Sequence, residues 1–544
     1  MKHFLEILKE AMRNKWEKGA LSDYRGKSYT FAELATEISR LHYQFEKLGI
    51  RPGDKIAIAS KNSSHWAITF LATISYRAVA VPILNDFTPE AVEMLVDHSE
   101  SVMLLTESSR WSEMKVENMP RLRAVADMES FEPLYSADGT FEAIHQASLR
   151  DIPAIYPASE REKATSFTVG ELDELIIINY TSGTTSSPKG VMLTARNISA
   201  NIEFALNTIP VREGDNIMSM LPLAHMYGLA FEFIYPLCGG GHVYFLGKTP
   251  TPTLLMQALA DIKPYLLITV PLVLEKIFKN KVIPTLNKPL LRVLRAIPGL
   301  KNIIYNKVHK QLLTTFGGNI RHIIAGGAAI SLPVEKIMKR VRLPYTVGYG
   351  MTECGPLIGY ADWKSFKLGS CGRAVDKVEV RIDSANPHKC VGEIQVRGAN
   401  VMQGYYKNEE ATAAAFTKDG FLRTGDLGII DRQGNIFIKG RSKCMILTAN
   451  GQNIYPEEIE SCLNSMECVS ESLIVERNKA LVALVALTPD GSELSKEEIT
   501  RIMEQNRAEL NSRMPAYSQV VAIEIMTEGF EHTPKQSIKR FLYS

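Results

Sequence analysis

The sequence predicts an α/β protein with a large N-terminal domain of several α/β subdomains and a small α+β domain at the C-terminus. A strand–helix–strand unit near the start implies a parallel sheet. The length, 544 residues, exceeds one simple core and suggests about three or four packing units. The last stretch, about a hundred residues by its change of texture, alternates short helices with strand-like runs in a different rhythm.

The elements follow in order. Thr30 and Glu33 form a Thr-x-x-Glu capping box. After it Phe31, Leu34, Ile38, Leu41, Phe45 and Leu48 recur at helical spacing, and Gly49 suits a helix C-terminus. The turn Arg51-Pro-Gly-Asp54 leads to a strand over 55–60. A helix over 64–76 and a strand over 79–82 complete the βαβ unit. The apolar runs at 174–180 and 265–271 read as further buried strands. Near the end, Pro456 opens a helix. Strands are expected over 472–476 and 481–488, and Ser495 and Glu498 box a polar helix running to about residue 511. A last strand is expected over 519–526. The division falls in the turn Lys439-Gly-Arg-Ser-Lys443, giving domains 1–439 and 440–544.

Hydrophobic content of 45% and charged content of 22% are those of an ordinary soluble globular protein, and a net charge of +2 gives no reason to expect a nucleic-acid partner. No apolar run reaches the roughly 20 residues that span a bilayer. The opening residues mix charged and apolar side chains, unlike a secretory leader. The seven cysteines show no Cys-x-x-Cys pair, so reduced thiols in a cytoplasmic protein are expected, with Cys238 and Cys462 as core filler. The segment from Lys276 to Lys310 holds nine Lys or Arg and no Asp or Glu, interleaved with Leu290, Leu291, Leu294, Ile297, Leu300, Ile303 and Ile304. That composition suits peripheral contact with a membrane surface, and a solvated basic helix face is the alternative.

Three segments carry chemistry. Tyr180-Thr-Ser-Gly-Thr-Thr-Ser-Ser-Pro-Lys-Gly190 follows an apolar strand. Amides and hydroxyls in such a loop cradle phosphate oxygens, and Lys189 adds a compact positive charge. It is not a Walker loop, because Pro188-Lys189-Gly190 stands where Gly-Lys-Ser/Thr would. Read from the residues alone, a polar surface loop is the alternative. Tyr349-Gly350-Met351-Thr352-Glu353 offers an aromatic face, a hydroxyl and a carboxylate able to hold Mg²⁺; the alternative is an ordinary strand end. In Arg423-Thr-Gly-Asp426 the aspartate can accept ribose hydroxyls, or merely form a turn. No Gly-x-Ser-x-Gly or strand-borne Gly-x-Gly-x-x-Gly occurs, which excludes a serine-hydrolase or dehydrogenase reading.

Taken with Ala325-Gly-Gly-Ala-Ala329, Gly392-Glu-Ile-Gln-Val-Arg-Gly398, Met402-Gln-Gly-Tyr-Tyr406, Gly440-Arg-Ser-Lys443, Gly451 and Pro456-Glu-Glu-Ile-Glu460, these segments resemble the adenylate-forming superfamily from about Tyr29 to Arg540. The resemblance is strongest to long-chain fatty acid CoA ligases. It implies the adenylate-forming enzyme fold with a mobile C-terminal domain hinged near 440–443. It also implies activation of a fatty acid by ATP and Mg²⁺ to acyl-AMP, followed by transfer to coenzyme A. By the same resemblance Thr181, Ser182, Gly183, Thr184, Thr185 and Lys189 embrace the ATP phosphates. Gly326, Gly327 and Ala328 lie on the adenine side. Tyr349 flanks adenine within the motif that includes Gly350 and Met351, and Thr352 meets the α-phosphate. Glu353 holds Mg²⁺, with Thr184 on the metal side. Asp426 and Arg441 hold ribose, and Lys443 marks the hinge.

The family's C-terminal lysine falls, by spacing, on Ser537, so Lys535 or Lys539 would replace it, with Lys535 preferred. Leu221-Pro-Leu-Ala-His225-Met-Tyr-Gly228 resembles the acyl-pocket motif, with His225 as gate or wall or else a packed histidine. Met226 and Tyr227 stand where relatives that activate amino acids carry an aspartate, and the aromatic residues after them suggest an apolar pocket for a medium to long chain. The alternatives are an acyl carrier protein as acceptor, an aryl acid as substrate, or a nucleotide- or acyl-binding protein without turnover.

Overall fold

Local signals set the first long helix. Thr30 Oγ1 accepts from the Glu33 amide at 3.2 Å while Glu33 Oε2 accepts from the Thr30 amide at 2.7 Å, closing the capping box that starts Phe31–Lys47. Gly49, at φ +68°, ends it in the left-handed conformation that glycine adopts without steric cost. Phe31, Leu34, Ile38, Leu41 and Phe45 are buried along one face, and each such side chain contributes roughly 1.5–3 kcal/mol. The computed structural model describes residues 1–155, 165–181, 189–248, 251–297, 300–327, 330–447, 453–477, 480–532 and 538–543.

The strand–helix–strand unit appears as Lys55–Ala59, Ser64–Ser75 and Val79–Ile83, with Lys55 paired in parallel to Val79. These strands belong to an eight-stranded sheet. Its order is Gly404–Tyr405, Lys189–Thr194, Leu175–Thr181, Val79–Ile83, Lys55–Ala59, Ser101–Thr106, Ala124–Asp127 and Pro133–Ser136. A second sheet of seven strands runs Tyr345–Val347, His322–Ala325, Leu266–Thr269, Asn216–Ser219, His242–Phe245, Gly19–Asp23 and Ser28–Thr30; every neighbouring pair but the last is parallel. The helix Ser64–Ser75 is apolar on nearly every side and touches strands of both sheets, so all of its faces are buried.

Two smaller sheets follow. Tyr349–Gly350, Leu357–Tyr360 and Arg373–Ala374 form one. Val378–Asp383, Gly392–Gly398, Leu422–Ile430 and Ile436–Arg441 form an antiparallel other, whose last pair sets Arg441 opposite Asp426. Beyond it a separate apolar core gathers Ile459, Leu463, Ile474, Leu481 and Leu510. Here the helix Pro456–Leu463 and the capped helix Lys496–Arg513 cover the strands Val469–Arg477, Ala480–Leu487 and Val520–Ile525. Lys279 donates across to the Asn464 carbonyl, tying this unit to the helical segment of the larger part. All seven cysteines are free, and Cys238 is buried with its thiol on the Phe4 carbonyl.

Two features were not among the expected elements. The Ser/Thr-rich loop follows its apolar strand as expected, and a second strand comes after it. The loop thus joins two antiparallel strands, with Thr181 facing Lys189. The aromatic segment after His225 is a π-helix over Leu229–Ile234, and a second π-helix covers Phe278–Val282. Such wide turns release backbone groups and often mark functional places.

Candidate active site

Parallel α/β sheets present their ligand sites at the carboxyl ends of the strands. In the seven-stranded sheet those ends are Ser219, Thr269, Ala325 and Val347. From them leave the loop to His225, the turn Gly326–Gly327 and the segment that begins at Tyr349. The carboxyl end of Leu175–Thr181, in the other sheet, leads into the Ser/Thr-rich loop. Sequence segments that are far apart therefore converge because the topology stacks their strand ends.

Lys189 stands at the root of that loop, with its ammonium 4.9 Å from the centre of the Tyr405 ring. Tyr405 is held there by the short strand Gly404–Tyr405, which pairs with Val191 and Met192, and by its amide on Thr412 Oγ1 at 2.9 Å. Its hydroxyl donates to Glu353 Oε1 at 3.0 Å, and burial beside that carboxylate raises the phenol above its ordinary range. The Met402 amide donates to the Glu353 carbonyl at 2.9 Å. Lysine, phenol and carboxylate thus form one row. No hydrogen bond among the described residues reaches the other oxygen of Glu353. A half-buried carboxylate of this kind is a hard oxygen donor suited to Mg²⁺.

Asp426 is buried, and it accepts from the Tyr349 hydroxyl at 2.8 Å and pairs with Arg441 Nε at 3.1 Å. Burial raises its pKa, and Arg441 opposes that. A carboxylate already receiving an O–H donor fits the hydroxyls of a ribose. Tyr349 is correspondingly raised by burial and by Asp426. Gly350 is required where it stands, since a Cβ would lie 2.2 Å from the Pro356 carbonyl oxygen. Met351 precedes the single turn Thr352–Cys354 that carries Thr352 and Glu353. Asn201 pins that turn through the Cys354 carbonyl and the Leu357 amide, and Asn197 holds the Ala399 and Val401 carbonyls.

Gly326 also has a steric cause: a Cβ there would sit 2.9 Å from the Tyr227 ring. Tyr227 donates to the Ile324 carbonyl at 3.0 Å. It separates the turn Gly326–Gly327 from an apolar cavity lined by Phe204, Tyr227, Phe231, Ile324, Leu357 and Tyr360. The cavity measures about 20 Å³ in this conformation, close to room for one water. The hydroxyl of Tyr360 has no partner among the described residues. His225 is half-buried at the head of the turn Met226–Gly228. The loop before it is strapped by Asn62, which bonds the Leu223 amide and the Leu221 carbonyl, and by fully buried Glu232, whose Oε2 accepts from Ser219, Met220 and Leu221. Burial raises the Glu232 carboxyl well above its ordinary range.

Of the expected site residues, Thr181, Lys189, Gly326, Gly327, Tyr349, Gly350, Met351, Thr352, Glu353, Asp426, Arg441 and Lys443 are described, and Lys443 is exposed after the last strand of the antiparallel sheet. Ser182, Gly183, Thr184, Thr185, Ala328, Lys535 and Ser537 lie outside the described residues, as does Gly451. Lys539 is described and pairs with Glu531 at 3.1 Å. Sequence reasoning missed Tyr405, Asn197 and Asn201 as parts of the site, and marked Tyr227 only by the aspartate it stands in place of. Tyr405 and Tyr227 had a local signal, their places in quoted motifs.

The family model for AMP-binding enzymes matches residues 8–406, and that for the AMP-binding enzyme C-terminal domain matches residues 444–543. The chain is 29% identical over 490 residues to the long-chain-fatty-acid–CoA ligase FadD15 of Mycobacterium bovis, covering 85% of this chain and 78% of that protein. It is 28% identical over 549 residues to long-chain-fatty-acid–CoA ligase 1 of Saccharomyces cerevisiae, covering 92% and 77%. Among solved structures, the anthranilate CoA ligase AuaEII in complex with anthranoyl-AMP superposes with a TM-score of 0.80 at 18% identity, over 99% of this chain and 96% of that one. The O-succinylbenzoate coenzyme A synthetase of Bacillus subtilis, with ATP and magnesium, gives 0.74 at 23% identity over 98% of each chain. With a family model matching well over half its length, the chain belongs to the AMP-binding enzymes.

Proposed function

We propose that this protein activates a fatty acid of medium to long chain with ATP and passes the acyl group to coenzyme A, releasing AMP and pyrophosphate. The observation that carries the reading is the row Lys189–Tyr405–Glu353 at the root of the Ser/Thr-rich loop, with an uncharged aromatic pocket behind Tyr227. A carboxylate oxygen of the acid bonds to the α-phosphorus as the bond to pyrophosphate breaks. The coenzyme's sulfur then bonds to the acyl carbon as the bond to AMP breaks, and the thiol proton passes to solvent. Glu353, with Thr184 by the family resemblance, would hold Mg²⁺, which when bound would supply charge compensation for the departing pyrophosphate.

The chain's own residues position and polarise. By the family resemblance Thr181, Ser182, Gly183, Thr184 and Thr185 would take the phosphates, and Lys189 would set a positive charge beside them. Tyr405 orients Glu353. Gly326, Gly327, Ala328 and Tyr349 border adenine, Thr352 meets the α-phosphate, and Asp426 and Arg441 take the ribose. His225 and Tyr227 form the wall between nucleotide and acid. An acyl chain far exceeds the present cavity, so Tyr227 and the π-helix beside it must yield when the acid enters. Of Lys535 and Lys539, Lys535 is assigned the C-terminal lysine's part; Lys539 pairs with Glu531 at the surface. The division at 1–439 and 440–544, with Lys443 in the hinge, lets the smaller domain serve both steps. The segment 276–310 is where the enzyme meets the membrane that dissolves such acids.

Product analysis across saturated acids of increasing length, with MgATP and with or without coenzyme A, tests the reading. Acyl-CoA and AMP in equal amounts, rising with chain length, are expected. AMP formation only with aryl acids, or with an acyl carrier protein as the sole acceptor, would replace it.

A further inference from the structure

Four of the exposed large apolar side chains among the described residues lie on two successive helices or their ends. Leu290, Val293 and Ile297 are 70%, 64% and 44% exposed, and Ile303 on the next helix is 64% exposed. The first three lie at i, i+3 and i+7, so they share one face of the helix Pro289–Ala296 and its end. Leu291 and Leu294, half-buried, continue the same apolar face toward the protein, and the helical positions of Arg292 and Arg295 fall opposite. The helix is amphipathic, yet part of its apolar face is left uncovered by the described residues. Lys288 stands exposed at its head. On Leu300–Thr315, Ile303, Lys307 and Lys310 fall on one face, with both lysines exposed. Lys279, by contrast, is engaged by Glu275 and the Asn464 carbonyl, so it belongs to the domain contact. No acidic residue lies between 276 and 310.

We propose that this patch docks the protein on an anionic phospholipid surface. Leu290, Val293, Ile297 and Ile303 enter the acyl boundary, and Lys288, Lys307 and Lys310 lie among the headgroup phosphates. The partner follows from the chemistry. Protruding aliphatic side chains ringed by cations of one sign match an apolar layer beneath negative charge. A second copy of this face would set cation against cation. The inference deepens the membrane contact of the proposed function and is independent of the adenylation chemistry, since none of these residues lines the candidate site.

The full chain is sedimented with vesicles of phosphatidylcholine alone and of phosphatidylcholine mixed with phosphatidylglycerol. In parallel its adenylation of a water-soluble acid of medium chain length is measured without lipid. Binding to the anionic vesicles is expected, with weak binding to the neutral ones. L290S/V293S, two exposed substitutions, should weaken binding by about tenfold or more. K288Q/K307Q/K310Q should weaken it by about fivefold per lysine and remove its dependence on phosphatidylglycerol. Both variants should melt like the parent and keep their activity on the soluble acid. If the parent fails to bind anionic vesicles, or L290S/V293S binds as tightly as the parent, the proposal is overturned. A dimer in lipid-free sedimentation that L290S/V293S abolishes would also overturn it, by assigning the face to a second copy. Loss of activity on the soluble acid in the parent would count against the proposed function, not against docking.

Discussion

Tyr405 does two things at once: its ring lies beside the Lys189 ammonium and its hydroxyl holds Glu353. The two roles can be separated. Glu353→Gln keeps the hydrogen bond but removes the charge that would face a cation, and kcat should fall by about 10²-fold or more. Tyr405→Phe keeps the ring and loses only the orienting bond, so the loss should be nearer tenfold. It should also raise the Mg²⁺ concentration needed for half-maximal rate. Initial rates over a Mg²⁺ titration distinguish them. A Glu353→Gln enzyme with parental kcat and Mg²⁺ dependence would remove Glu353 from the metal's side. Much at this scale was readable in the sequence: Lys189, Glu353 and Asp426 stand out by residue type and motif order. Asn197 and Asn201 do not, because their partners lie 202 and 153 residues away; the motif that holds Tyr227 likewise records nothing of its bond to Ile324, 97 residues on.

Helices and strands divide the same way. The capping boxes at Thr30 and Ser495 put donor and acceptor within four residues, and both helices start where the sequence places them. The strand–helix–strand unit was likewise legible in its apolar rhythm. The π-helices were not, since a π-turn and an α-turn share nearly the same hydrophobic spacing and tertiary packing selects between them. Nor was the hairpin around the Ser/Thr-rich loop, whose two strands are paired by contacts across the loop. One helix makes a pH prediction. Glu335, in Leu332–Arg340, is pushed up to about 7 by burial, against the Gly369 amide and Lys339, from an ordinary value of 4.5. Between those two values the folded state keeps a proton that the unfolded chain has lost. Stability therefore falls as pH rises through that window and levels off above it, by about 3 kcal/mol at most. Glu335→Gln keeps an acceptor for Gly369 and should flatten that part of the profile. Denaturant midpoints at closely spaced pH values check this, and an unchanged slope would show that Glu335 is not the group titrating.

At the scale of the whole molecule, the two units join through the last strand of the antiparallel sheet and the exposed turn Ser442–Cys444. If that turn lets the small domain swing between steps, Lys443→Pro should restrain it by fixing φ. Acyl-AMP formation in a single turnover should persist while thioester formation slows by about tenfold or more. Equal losses in both steps would mean that the turn supports folding and not reorientation. The claim on which all of this depends is that the protein makes an acyl-adenylate before any thiol takes part. Exchange of labelled pyrophosphate into ATP, measured without coenzyme A, tests it most directly. The account predicts exchange that requires both Mg²⁺ and a fatty acid and that disappears in Glu353→Gln; exchange absent with every acid tried, or proceeding without one, would contradict it.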